Sequence, residues 1–541
     1  FDWQPHFEVP IGSGVSSIYN QSFWIGGLDD ENNIHMAAEM FRHYGIDFWH
    51  GPVSNVYDSL YDSRWLHVWN LTREQVEFHK ANWWKQEYEP VSDILTWPGN
   101  GDVSRGQSDK IAPFEDNNNN GMYGPMEGDA PVIKGDQAMF FVFNDDRLPH
   151  TESQGTPLGV EIRAMAYAFD APADSALWNT IFLHYEIENR SDTAYHDVYA
   201  GMFSIGQLGS WFDDFIQCDV QRGMYFYFNG NNIDGNTNSP GVYGENPPAL
   251  GLVLLGGPYL DEDNTDNPKF DAQGNQLCNG SINGLNFGDT LVDNERWGLS
   301  NFMFIGGSSI FDWPSDPSSF YGYMKSKWLN GDNLQYGGWG HAFLGAVGPE
   351  CRFVFPGDSD SCNWGTDGII PNGGYNQPGK YWTEIEEGHN PYQRMGVGST
   401  GPFTFAPGDV HYIDLALVWG RAYDGDPWSS VEVMQEYVDH IRQKFEYDES
   451  FFSDVPDNPG KKKELTIYPV PSSGTLTVDL GNNRGVKSIR IFNSMGQPVF
   501  MSQVLKDENP LRLNLEHLDK GLYIIRVNTE NGIQAARFIK N

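Results

Sequence analysis

Short alternating runs of apolar and polar residues dominate this chain. GVEIRAMAYAF (159–169), NTIFLHYEIEN (179–189) and HDVYAGMFSIG (196–206) are rich in β-branched and aromatic side chains. That content suits strands, whose neighbouring side chains fall on opposite faces of a pleated sheet. Turn clusters such as NGNNIDGNTNSPG (229–241) separate the runs. Two segments follow a helical period instead. In LTREQVEFHKANWWKQEY (71–88), Thr72 with Gln75 three residues on is a capping-box pattern. In WSSVEVMQEYVDHIRQKFEY (428–447), Met434, Tyr437, Val438, Ile441 and Phe445 share one face. This second helix is expected to pack on the sheets and close the domain.

The pattern divides the chain into three. Residues 1–447 read as a β-rich region with one or two packed subdomains. Residues 448–464, DESFFSDVPDNPGKKKE, lack periodicity and read as a linker. From 465 to 541 the segments LTIYPV, TLTVDL, SIRIFN, LRLNL, GLYIIRVN and QAARFIK alternate and end in turns. The fold class is therefore mainly β: a large β-sandwich-rich N-terminal region with a few helices, plus a small C-terminal immunoglobulin-like β-sandwich.

Composition sharpens this picture. Aromatics make up 14% of the 541 residues, enough to build a large core, and Gly 60 with Pro 32 favours many turns. No run of about 18 apolar residues occurs, so no helix is expected to span a membrane. The formal charge of −39 argues against nucleic acid as a partner, because phosphate binding needs clustered Lys and Arg. The same charge suits a solvated acidic surface or divalent cations. The chain opens on Phe1 and not on Met, as expected of a chain whose signal peptide has been removed or of a fragment. The four cysteines, Cys218, Cys278, Cys351 and Cys362, fit no zinc spacing. Cys351 and Cys362 flank the short loop FPGDSDS and are expected to form a disulfide in an oxidising compartment. The pairing of Cys218 and Cys278 stays open.

The C-terminal unit carries a resemblance. Tyr468-Pro469-Val470-Pro471-Ser472-Ser473-Gly474 opens it, and Ile491-Phe492-Asn493-Ser494-Met495-Gly496-Gln497 follows. Leu518-Asp519-Lys520-Gly521-Leu522-Tyr523 comes next, and Arg537-Phe538-Ile539-Lys540 closes the chain. In order and spacing these blocks resemble the type A sorting domain of the Bacteroidota type IX secretion system, with Val470 where Asn is usual. Pro469 and Pro471 stiffen the start, and Gly474 permits a turn that other residues resist. Gly521 is expected to turn the chain into the strand that carries Tyr523. The resemblance makes Pro469, Pro471, Gly474, Gly496, Gly521, Tyr523 and Lys540 part of the sorting signal. It implies export to the outer-membrane surface or the extracellular space, with the secretion machinery at the outer membrane as partner. The N-terminal blocks SFWIGGLDDENNIHMAAEMFRHYGIDFWHGPV (22–53), KGDQAMFFVFND (134–145), CDVQRGMYFYFNG (218–230), LVDNERWGL (291–299), FPGDSDSCNWGTDG (355–368) and GPFTFAPGD (401–409) resemble an uncharacterised family of such cargo.

One local motif carries metal chemistry. In EDNNNNGMYGPMEGD (115–129), Asp116, Asn118, Asn120, Gly121 and Glu127 occupy positions one, three, five, six and twelve of a D-x-N-x-N-G-x5-E calcium loop. The Met122 carbonyl would fill position seven, and Asp129 stands by to assist. Its flanks hold Pro113 and Pro125, so a structural calcium staple is expected and not an opening hand. Weaker acidic clusters are DEDNTDN (261–267) and GDTLVDNE (288–295), with Asp261, Asp263, Asp289, Asp293 and Glu295 as candidate ligands. On a helix, His35, Glu39 and His43 of HMAAEMFRH would share a face fit for zinc, but ordinary polar roles are the stronger expectation. Ser59, Ser175, Thr193 and Thr290 follow Asp and precede a small apolar residue, which resembles the O-glycosylation sequon of this phylum.

No G-x-S-x-G, phosphate-loop or dinucleotide-binding pattern is present. The aromatic clusters FWIGG, RWLHVWN (64–70) and ANWWKQE (81–87) are expected in the core, with sugar stacking as the rival role. These features favour a secreted or cell-surface structural or adhesive protein, leaning away from an enzyme: an adhesin, or a self-assembling homo-oligomer such as a filament or surface-layer subunit. The alternative is a secreted glycan-binding protein or polymer hydrolase.

Overall fold

The computed structural model describes residues 7–40, 45–147, 149–235, 241–306, 309–371, 380–447, 466–470, 472–479, 486–493, 498–503, 510–518, 520–529 and 532–541. The linker expected at 448–464, and Pro471 and Gly496, lie outside the described residues. The chain divides into two compact units, Phe1–Asp454 and Val455–Asn541.

The large unit is built on two antiparallel sheets. One has five strands in the order Asn301–Ile305, Met395–Phe405, Tyr195–Gly206, Ile18–Leu28, Ile34–Ala38. The other has nine. Asp214–Asp219, Met224–Asn229, Ala249–Gly256, Val410–Gly420, Thr180–Asn189, Val160–Ala168 and Gln137–Asn144 run in order, and both Trp49–His50 and Trp69–Thr72 pair with the last of these. The sheets share a single core, in which Tyr225 stacks on Phe302 across the gap (centroids 4.7 Å apart). The large region is thus organised around one sandwich.

A helical layer covers the other face of the larger sheet. Its helices are α1 (Ser59–Trp65), α2 (Arg73–Lys80), α3 (Ser92–Leu95) and α4 (Ser175–Trp178); α5 (Pro317–Met324) packs on the smaller sheet and α6 (Pro427–Tyr447) on the larger. Period-two alternation explains the two cores. Leu250, Leu252 and Leu254 enter the sandwich, whereas Ala249, Val253 and Leu255 of the same strand meet the helical layer. A strand buried on both faces reads as a continuous apolar run.

On α6, Met434, Val438 and Ile441 are fully buried, and Tyr437 and Phe445 pack at the edge. The Thr72–Gln75 capping box forms as expected. However, α2 stops at Lys80 and not at residue 88. The Asn82 amide donates to the Phe78 carbonyl (2.6 Å), a side-chain bond that competes with continuing the helix.

The small unit is a mainly β sandwich. Thr466–Tyr468, Thr475–Asp479 and Leu511–Asn514 form one sheet; Pro498–Gln503, Val486–Asn493, Gly521–Thr529 and Gly532–Lys540 form the other. Leu476, Val478, Ile489, Ile491, Ile525 and Val527 fill the space between them. The strand Pro498–Gln503 was not among the alternating segments; it is an edge strand that begins on proline, where a missing N–H is tolerated.

Candidate metal loop and surface groove

The loop 116–129 is closed at its neck by a two-residue ladder, Phe114–Glu115 against Ala130–Pro131. Within it, Asp116 accepts from the backbone N–H groups of Asn120 (3.2 Å) and Gly121 (2.7 Å). Glu127 accepts from the side-chain amides of Asn118 (2.7 Å) and Asn120 (3.0 Å). The four side chains at positions one, three, five and twelve therefore converge. Gly121 sits at φ 78° with nothing within 4 Å of an added Cβ; the left-handed backbone, not crowding, calls for glycine there. Only two of the four are carboxylates. Among the described residues no three His, Cys, Asp or Glu side chains gather to hold a metal, so any cation here would lean on amide and carbonyl oxygens.

Helix α2 fixes the loop. Buried His79 donates from Nε2 to the Asp129 carbonyl (2.9 Å) and accepts at Nδ1 from the Tyr88 hydroxyl (3.0 Å). Burial pushes the His79 imidazole below its usual pKa, which matches a neutral ring with one donor and one acceptor. The buried Asp129 carboxylate holds the N–H groups of Asn117 and Gly124 (both 2.8 Å). Asp129 thus shapes the loop and does not serve as a free ligand.

Beside the loop lies a groove of about 1040 Å³. Its walls are the end of α1 (Ser63, Arg64, Leu66, His67), α3, the 100–104 turn and Met122, Tyr123 and Pro125 of the loop itself. Trp69 and Trp97 form the floor, both nearly fully buried. Asn100 ties the two features: its Nδ2 donates to the Gly121 carbonyl (3.0 Å), and its Oδ1 accepts from the Tyr123 N–H (2.7 Å). On the groove wall His67 Nε2 meets Asp93 Oδ1 at 3.1 Å, while Asp93 Oδ2 accepts from the Asn70 N–H. The groove draws on segments up to sixty residues apart, which sequence reading did not join. The one signal was RWLHVWN, expected in the core; Trp65 and Trp69 are indeed buried.

The other candidate residues have local duties. The two weaker acidic clusters meet, since Asp293 accepts from the N–H groups of Asp263 (2.8 Å) and Asn264 (2.9 Å). Glu295 binds the Asn267 N–H, and Asp289 binds the Leu291 N–H and the Asn294 amide. Asp261 is turned away to Thr404. These carboxylates staple loops. His35 lies on a strand and contacts the Pro157 carbonyl and Asp29; Glu39 accepts from the Asp47 and Phe48 N–H groups. His43 is outside the described residues. Ser59 and Ser175 are exposed first residues of α1 and α4, behind the capping Asp58 and Asp174. At these two sites the Asp–Ser pair also has a helix-capping role. Thr290 is exposed at φ 77°, and Thr193 is half-buried.

The expected Cys351–Cys362 disulfide is not formed. Cys362 pairs with Cys278, Cα atoms 5.9 Å apart, and Cys218 and Cys351 are buried free thiols. Cys351 enters the core with Phe353, whereas Asp360 captures the N–H groups of Trp364 and Gly365 (both 2.8 Å). That turn leaves Cys362 at the surface, facing the 278 loop.

In the small unit the first and last sequence blocks meet. Ser472 donates to the Ile539 carbonyl (2.7 Å), Asn541 donates to the Ser472 carbonyl (2.9 Å), and buried Lys540 reaches the Ser473 carbonyl (3.4 Å). Gly474 has φ 152°, and Tyr523 stacks on Phe538. Gly521 simply begins its strand, and its φ lies outside the left-handed region. Residues 466–541 match the family model described as the secretion system C-terminal sorting domain.

The small unit is a sorting domain. A chain bearing this sorting domain is cargo of the type IX secretion machinery, exported to the cell surface or the extracellular space. Among the described residues no helix is long and apolar enough to cross a membrane. No curated protein matches the sequence. Among solved structures, a polysaccharide lyase is similar at 8% identity and a TM-score of 0.17, over 70% of this chain and 34% of its own. The chain thus spans about a third of that protein's length. The BSP domain of a biofilm-associated protein is similar at 9% identity and a TM-score of 0.13, over 98% and 84%.

Proposed function

We propose that the large unit works outside the cell as a structural or adhesive surface protein, with the groove beside loop 116–129 as its contact site. The observation that carries this reading is the groove itself, whose rim is built from Met122, Tyr123 and Pro125 of the candidate calcium loop. A concave site in which aromatic side chains sit among polar groups can hold and orient a ligand. Calcium, held by Asp116, Asn118, Asn120, the Met122 carbonyl and Glu127, would stiffen that rim. It would also screen an acidic chain during any assembly into a filament or surface layer. The mixed lining, with His67 on one wall held by Asp93 behind it, supports glycan binding as the second reading.

The test is calorimetric. Calcium chloride titrated into the EGTA-treated chain should bind with one-to-one stoichiometry and raise Tm; at a hundredfold excess over Kd the gain is about 2.7 kcal/mol. Glu127→Gln should abolish both effects. Electron microscopy with and without calcium then separates a filament or lattice from a monomeric adhesin. Unchanged Tm and no heat of binding would end the calcium part of the reading.

A further inference from the structure

Three aromatic rings, exposed Phe212 and Tyr392 with half-buried Trp211 beneath them, cluster at the opposite edge of the nine-stranded sheet from the groove. Trp211 and Phe212 are stacked with centroids 3.6 Å apart, and Tyr392 stands edge-on to both at 5.5 and 5.7 Å. Phe212 is 54% exposed and Tyr392 52%. Exposed single apolar residues are ordinary, but a contiguous aromatic cluster on loops marks a contact surface.

The loops that hold it are bolted down. Leu208 donates to Asp214 (3.2 Å), Ser210 to Asp234 (2.9 Å) and Gly230 to the Asp213 carbonyl (2.6 Å). The Tyr392 N–H donates to the Asp214 carbonyl (3.0 Å). The rings are thus presented on fixed backbone, and little ordering entropy is lost on binding.

The chemistry selects the occupant. Arg394, two residues beyond Tyr392, is held by both oxygens of Glu384 at 2.6–2.9 Å, so it is not a free cation for an acidic ligand. The net charge of −39 opposes an anionic polymer and, unless cations screen it, a second copy of this chain. Asp213, next to Phe212 and 7% exposed, uses Oδ2 on the Gly235 N–H (2.8 Å), while its buried Oδ1 has no hydrogen-bond partner. That oxygen is enclosed, so the exposed rings themselves select the occupant. Exposed aromatic rings beside no free guanidinium suit the uncharged, apolar face of a pyranose ring.

We propose that Trp211, Phe212 and Tyr392 form a stacking platform for an uncharged pyranose polysaccharide. It is distinct from the groove. Its strand, Asp214–Asp219, and the strand bearing Trp69 lie at opposite edges of the sheet, roughly 30 Å apart at the usual strand spacing.

Titration calorimetry of the full chain with cellohexaose, maltohexaose and xylohexaose tests this, with polygalacturonate as the anionic comparison. Saturable binding of at least one neutral hexasaccharide is expected. Phe212→Ala and Tyr392→Ala should each weaken it tenfold or more at unchanged Tm, while Tyr392→Phe and Glu127→Gln retain it. The last variant separates this platform from the groove reading. The proposal is overturned if none of the neutral probes binds, if the alanine variants bind as tightly as the parent, or if polygalacturonate binds best. It is equally overturned if Phe212→Ala dissociates an oligomer in light scattering, since the rings would then serve self-association.

Discussion

Buried carboxyl groups set the pH response of the large unit. Burial pushes Glu39 up to about 7 and Asp234 up to about 7, and Glu152 moves up to about 8 for the same reason. Each binds a proton more tightly folded than unfolded, so the stability it contributes is full below about pH 4. That contribution is lost as pH rises through the folded values, at up to about 1.4 kcal/mol per pH unit for Glu39 or Asp234. Asp414 acts in the opposite sense. Burial raises it, but His184 and Arg296 outweigh burial and hold it below the usual range, so its contribution is lost as pH falls below about 4. Tm should therefore peak at about pH 4 and decline toward about pH 8. Asp234→Asn should flatten that decline in a calorimetric pH series; an unchanged slope would remove Asp234 as a cause. Their shifts gave no sequence signal, because burial decides them. Asp116, Asn118, Asn120 and Glu127 were legible, because their spacing within one loop suffices to bring them together.

At the scale of elements, α6 shows how a helix is fitted to a sheet. A Cβ at Gly420 would lie 2.6 Å from the Met434 backbone, and one at Gly251 would lie 2.6 Å from its sulfur. Two glycines on neighbouring strands thus let the helix approach. Met434→Ala should cost about 2–5 kcal/mol by leaving a cavity, and Gly420→Ala should force the helix away. Chemical denaturation of both variants checks this; a loss below about 1 kcal/mol for Met434→Ala would mean the site collapses freely. The apolar period of α6 was legible because it repeats over about three turns, from Met434 to Phe445. The early end of α2 was not, because one Asn82 side chain decides it. The edge strand Pro498–Gln503 escaped because its first residue is proline.

For the whole molecule, the disulfide is the long-range constraint. Cys278 and Cys362 are 84 residues apart, and closing a loop of that length restricts the unfolded chain by about 4–5 kcal/mol in the entropic model. Peptide mapping without reduction should recover the Cys278–Cys362 crosslink and free thiols at Cys218 and Cys351. Cys278→Ser should lower Tm, whereas Cys351→Ser should act only through core packing. A recovered Cys351–Cys362 peptide would refute this pairing. Nearness in sequence favoured Cys351 and Cys362, but one enters the core and the other is left at the surface.

By itself the sequence determined the strand content, the fold class, the capped start of α2, the calcium-like spacing and the sorting domain with its export route. All of these rest on contacts between residues near in the chain or on blocks in fixed order. Tertiary structure alone decided that two sheets share one core, that Cys278 finds Cys362, and that the acidic loops staple each other. It also decided where the groove and the aromatic platform lie. Each joins segments tens to hundreds of residues apart, and such pairings are chosen by which apolar faces bury one another, a preference no local pattern records.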